Sequence, residues 1–124
     1  MKDLTPDQAN EVVLAIADLL TMTGHAQARR RTSGGRVAVT FTVAGAAPGR
    51  SVSLAVDTIM GTAFTVAPIE GGKIVDDRVE MTRSPATLVP LLSRAFSWAR
   101  TRTVQRNRRR TSRRASRRTS RRSR

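Results

Sequence analysis

Guanidinium is the most concentrated chemistry in this sequence. Thirteen arginines stand at Arg100, Arg102, Arg106, Arg108, Arg109, Arg110, Arg113, Arg114, Arg117, Arg118, Arg121, Arg122 and Arg124, and no acid follows Glu80. From Arg109 the order repeats every four residues: Arg-Arg-Thr-Ser, Arg-Arg-Ala-Ser, Arg-Arg-Thr-Ser, Arg-Arg-Ser-Arg. Guanidinium is always charged, is planar, and can bond two oxygens of one phosphate at once. The small Ser and Thr spacers let the chain follow a groove and add hydroxyl donors. Phosphate is therefore the expected partner, and nucleic acid its densest source. Each phosphate neutralised releases counterions, so engagement of about eight arginines predicts a log–log salt slope near about −7 on duplex DNA, shallower on single strands. Charge density has no fixed geometry with which to read bases, so binding is expected to ignore sequence.

Residues 106–124 resemble protamines, the arginine-rich C-terminal arms of hepadnavirus core proteins, and the arginine–serine segments of RNA-processing proteins. The resemblance is one of composition and covers about a seventh of the chain, so it implies a mode of binding and not descent. A compact domain carrying a terminal arginine arm is most similar in layout to a capsid or nucleoid protein. Residues 1–99 resemble no family. Other polyanions stay open as partners: acidic proteins, anionic lipid, or an RNA surface such as the ribosome. A localisation signal is a further reading for a eukaryotic chain. A membrane is not expected as partner, because after Val104 the only apolar residue is Ala115 and no amphipathic face forms. The Arg-Arg-x-Ser repeat also suits basophilic kinases at Ser112, Ser116 and Ser120, against the plainer reading of serine as a polar spacer.

Smaller constellations were weighed alongside the arm. Arg29, Arg30 and Arg31 with Arg36 form a second basic cluster, read as a solvated loop or as a secondary nucleic-acid contact. Trp98 could stack on a base, but behind a leucine stripe it reads as core. His25 is the only histidine and cysteine is absent, which removes the usual zinc sites and His-dependent nucleophiles. Gly45-Ala-Ala-Pro-Gly49-Arg50-Ser51 has some features of a phosphate loop. Its spacing is one short, arginine replaces lysine, and a strand follows where a helix is required; it reads as a hairpin turn. Asp76, Asp77 and Glu80 could hold magnesium but read as a polar strand face. No catalysis, metal, cofactor or small-molecule substrate is expected.

The elements that must carry these groups follow from charge and periodicity. The chain has 124 residues and a formal charge of +14. Residues 1–99 hold ten basic and nine acidic side chains, against thirteen and none in residues 100–124. A near-neutral domain over 1–99 and a cationic appendage over 100–124 are the implied units. Such charge blocks repel themselves and lack apolar surface, which predicts a disordered or partly helical tail. No apolar run reaches the roughly 20 residues that cross a bilayer, and the first residues lack a secretory layout. Arginine in place of lysine, with abundant Ala, Gly, Val and Thr, hints at a GC-rich genome.

Thr5-Pro6-Asp7-Gln8 spells a capping box with proline at the first helical position. Ala9, Val12, Val13, Ile16, Leu19 and Leu20 then recur at helical spacing, with Asn10, Glu11, Asp18 and Thr21 on the other face, predicting a helix over about 6–22. Residues 24–35 read as a loop. Alternation over Val37–Val43, Val52–Val56 and Thr62–Ile69 predicts three strands, with turns at Gly45–Arg50 and Glu70-Gly71-Gly72. A fourth strand is expected within Lys73–Thr82, interrupted by Asp76-Asp77. Ser84-Pro85 opens a second helix with a stripe of Leu88, Leu91, Leu92, Ala95, Phe96 and Ala99. Pro90 predicts either a turn before a helix start near 90 or a kink.

The fold class implied is α+β: a helix, an antiparallel meander of about four strands, and a second helix on the same sheet face. The core is thin, with three Phe, one Trp and no Tyr, and open sheet edges favour a homo-oligomer. Two functions fit: a sequence-nonspecific nucleic-acid packaging protein of the cytoplasm and nucleoid, or a virion or phage component whose shell or connector domain sends an arm to the genome. A ribosome-associated RNA-binding protein is a more distant third.

Overall fold

The capping box does what its residues allow. In a computed structural model that describes residues 4–101, Thr5 Oγ1 accepts from the Gln8 N–H at 3.2 Å, and Gln8 Oε1 accepts from the Thr5 N–H at 2.9 Å. Helix α1 runs Pro6–Met22 behind it. Strands β1 (Ala26–Ser33), β2 (Arg36–Val43), β3 (Arg50–Asp57) and β4 (Ala63–Glu70) follow, then the short β5 (Lys73–Ile74) and β6 (Glu80–Thr82), and helix α2 (Pro85–Arg100). One antiparallel sheet results, in the order β1-β2-β3-β4-β5, with β6 also paired to β4. Two of its hairpins turn on Gly-Gly pairs. Ser33 faces Arg36 across Gly34-Gly35, and Glu70 faces Lys73 across Gly71-Gly72. All four glycines have positive φ, between 59° and 80°, the backbone that tight two-residue hairpins demand and that other residues resist.

Both helices pack on one face of the sheet. Alternation puts Val37, Val39, Phe41 and Val43 of β2, Val52, Leu54 and Val56 of β3, and Phe64 and Val66 of β4 on that side, all buried. Ala9, Val13 and Ala17 of α1 meet them, as do Leu88, Leu91, Leu92, Ala95 and Phe96 of α2. Phe41 and Phe96 meet edge to face at 5.6 Å between ring centres. Each fully buried large side chain contributes about 1.5–3 kcal/mol, so a core short of aromatics is carried by β-branched valines. Among the described residues no helix packs on the opposite sheet face.

The sequence expectations need four corrections. The stretch 24–35 is not a loop: Ala26–Ser33 is an eight-residue strand, fully paired with β2. The meander therefore has more strands than four, and the segment after Gly72 is two short strands either side of a 3₁₀ turn at Asp76–Arg78. The helix does not start near Pro90, since α2 begins at Pro85 and runs through it, with Pro90 facing solvent. The missing N–H costs one bond in a helix already held by its buried stripe. Finally, of the expected α1 stripe Leu19 is 60% exposed, while Ala9 and Val13 are fully buried with Ala17, and Val12, Ile16 and Leu20 pack partly buried against the core. Small residues at the contact let the helix lie close to the sheet.

Candidate nucleic-acid interface

Arg100 is the only arm arginine among the described residues; Arg102 through Arg124, with Ser112, Ser116 and Ser120, lie outside them. What can be described is the root of the arm. The last carbonyls of a helix have no partners within it. In α2 the β2–β3 turn supplies them. The Ala47 N–H donates to Ala99 O at 2.9 Å, and Arg50 Nη1 donates to Trp98 O at 2.7 Å. Arg50 is nearly buried. Its Nε donates to Glu70 Oε2 at 2.6 Å, and its guanidinium carbon stands 4.3 Å from the centre of the Trp98 ring. A cation at a helix C-terminus is favoured by the helix dipole, and its stacking on indole adds a cation–π contact. Arg100 Nε in turn donates to Ala44 O at 3.3 Å, and the Ala44 N–H donates to His25 O at 2.9 Å. Helix α2 thus ends clamped, at the corner where β1 begins.

The second basic cluster is divided by the strand that carries it. Successive residues of a strand face opposite ways. Arg30, opposite Val39, lies on the helix side and forms an ion pair with Asp18 of α1. Arg29, opposite Thr40, and Arg31, opposite Ala38, lie on the uncovered face. Arg36, opposite Ser33, joins them there, diagonal to Arg31. Arg29 and Arg31 are exposed and Arg36 is half-buried. None of the three has a hydrogen bond or ion pair with another side chain among the described residues.

No family model matches this sequence, no curated protein is significantly similar to it, and no solved structure matches it. The chemistry of its own residues is what bears on function.

The remaining candidates fall into place around the fold. Trp98 is buried against Arg50, with Arg78 at 5.9 Å from its ring, so its faces serve the core and not a base. The Gly45–Ser51 stretch is the β2–β3 turn with the first two residues of β3, and its Ala46, Ala47 and Arg50 amides donate to Val43, Ala99 and Ala47 carbonyls. His25 is exposed, with Nδ1 2.7 Å from Thr23 Oγ1. Asp76 and Asp77 lie in the 3₁₀ turn rather than a strand, while Glu80 of β6 accepts from Arg94 at 3.0 Å. Among the described residues no three His, Asp or Glu side chains come together as metal ligands would. No helix among them is long and apolar enough to cross a membrane.

Two residues with structural consequence carried little signal in the sequence. Arg50 and Glu70 meet because β3 and β4 are hairpin partners in that register; opposite charges at the two open ends of a predicted hairpin were the available clue. Asn10, assigned to the outward face of α1, instead accepts from the Val37 N–H at 3.0 Å and donates to Gly35 O at 2.8 Å. It ties α1 to the tip of the β1–β2 hairpin.

Proposed function

We propose that this protein binds nucleic acid without regard to sequence, neutralising phosphate through the arginines from Arg100 to Arg124, with the folded domain as anchor of the arm. The observation that carries the reading is the segregation of charge: thirteen arginines and no acid in residues 100–124. A polycation of always-charged, bidentate donors favours the polymer with the densest phosphates. The clamped end of α2 supports it, because a fixed root lets the domain transmit position to the arm. The work done is association and charge neutralisation, without covalent chemistry. Such a protein acts where nucleic acid is compacted, in a nucleoid or inside a virion, and self-association of the domain would bring many arms onto one polymer.

The test is binding to duplex DNA and to single-stranded RNA across a salt series, for the full chain and a chain ending at Thr101. The full chain is expected to show a log–log slope near about −7 on duplex and the same affinity for unrelated sequences. The shortened chain is expected to lose most of that affinity. Retention of tight binding by the shortened chain overturns the arm as the principal site.

A further inference from the structure

We infer that the uncovered face of β1 and β2 is a second phosphate-binding surface, made by Arg29, Arg31 and Arg36, which lies against the backbone of duplex nucleic acid held by the arm. The inference rests on the proposed function for its ligand. Its own support is the placement of the side chains.

Geometry comes first. Residues two apart on a strand stand about 6.7 Å from one another on the same face, a spacing comparable to successive phosphates along one nucleic-acid strand. Arg29 and Arg31 occupy two such positions, and Arg36 extends the row at the hairpin tip. Gln27, Ser33, Thr40 and Thr42 share this face and are the short polar groups that accompany phosphate contacts. Next to the row the face has small side chains, including Ala38 and, on β3, Ser53 and Ala55; the larger Ile69, Ile74 and Met81 lie on β4, β5 and β6, away from it. Charge is complementary as well. The acid on this face among the described residues is Asp57, which the β2–β3 register brings across from Arg36; it makes no ion pair with Arg36 among the described residues, and its Oδ1 accepts from the Ile59 N–H at 2.9 Å.

Two observations choose the partner. The aromatic rings among the described residues, Phe41, Phe64, Phe96 and Trp98, are all buried on the helix side. Unpaired bases would find no Phe, Tyr or Trp ring on this face to stack on, and aromatic stacking is a main gain in single-strand recognition. The exterior of a duplex offers phosphates without asking for stacking. The strand pair that carries the surface also meets the end of α2. Arg100 bonds Ala44, whose amide bonds His25, at the open end of the β1–β2 ladder; Arg29 stands four residues along β1 from that corner, and Arg31 and Arg36 follow toward the hairpin tip. A duplex gripped by the arm at that corner can run along β1.

An edge strand bearing arginines has a competing explanation, since charge on an edge deters pairing with another chain. Arg30 separates the two. It is part of the same run but points to the other face and is engaged by Asp18, so a phosphate surface excludes it and a diffuse charge effect does not.

The experiment compares full chains by fluorescence anisotropy against a short mixed-sequence DNA duplex and the corresponding single strand, over a potassium chloride series. Thermal melts confirm that each variant is folded. The variant Arg29→Ser/Arg31→Ser/Arg36→Ser is expected to lower the magnitude of the duplex salt slope by about three and to lose more affinity on duplex than on single strand. The matching triple lysine variant is expected to restore the slope, and Arg30→Ser to leave it unchanged. A triple serine variant that binds duplex like the parent chain overturns the inference while the arm reading stands. So does an equal slope loss per charge in Arg30→Ser, a loss confined to single strands, or self-association without loss of binding. If the parent chain itself does not bind duplex, the proposed function falls with it.

Discussion

The arginines of this chain stand in two settings, and the contrast between the folded domain and the arm turns on what surrounds each guanidinium. Within the fold, Arg50 is nearly buried and has its donors committed to Glu70 and the Trp98 carbonyl. Arg30 is held by Asp18 and Arg94 by Glu80, while Arg83 and Arg100 reach the Met60 and Ala44 carbonyls. Beyond Arg100 the sequence places twelve arginines with no acid among them. The same side chain is a structural tie where carboxylates and helix carbonyls are at hand, and a ligand-seeking charge where the sequence supplies none. Arg29, Arg31 and Arg36 stand between these regions: inside the fold by position, yet without acidic partners among the described residues.

The contrast can be broken most directly at the arm. Replacing Arg102 and every later arginine with serine is expected to weaken duplex binding by about three orders of magnitude or more near physiological salt. The thermal midpoint should stay where it is, because residues 4–101 build the core described from their own side chains; a large fall in midpoint would make the arm part of the fold. Arg50→Ala is expected to do the reverse. It removes a charge-assisted hydrogen bond and a helix-end partner, and destabilises the domain by about 2–3 kcal/mol in urea titrations. Arg50→Lys should recover only part, since an ammonium cannot bond Glu70 and the Trp98 carbonyl with one planar fork. Binding per folded molecule should be unaltered in both.

Smaller effects sharpen the boundary. Asn10→Ala leaves the Val37 N–H and Gly35 carbonyl without their partner, and is expected to cost about 1–2 kcal/mol; hydrogen exchange at Val37 should accelerate first. At the bottom of the scale, Glu80→Gln breaks an ion pair whose side chains are 44% and 66% exposed, and is expected to cost no more than about 0.5 kcal/mol. A larger cost would mean that surface arginines of this domain are more firmly tied than their exposure implies.

Much of the architecture was legible wherever a local rule and the tertiary environment agree. The capping box at Thr5 and Gln8 starts α1 by bonds that need only neighbouring residues. Strands β2, β3 and β4 were visible because one face is buried, which imposes alternation. Strand β1 was not, because it is an edge: only Ala26 and Ala28 turn apolar side chains toward the core, and Arg30 takes the next inward position. Its signal lay instead in Gly34-Gly35, two residues that suit a hairpin and so require a strand on each side.

The candidate site divides in the same way. The arm was written entirely in the sequence, since net charge and guanidinium chemistry do not depend on a fold to attract phosphate. Which of Arg29, Arg30 and Arg31 face the same way could be decided only by the pairing of β1 with β2. Until that register is set, three consecutive arginines are equivalent. Likewise, nothing local joins Arg50 to Trp98, 48 positions apart; sheet and helix must pack before the end of α2 has a cap. Sequence alone determined where the charge is, because charge is a property of composition. Tertiary structure decided which charges are spoken for, because a partner for a guanidinium is a matter of distance and direction.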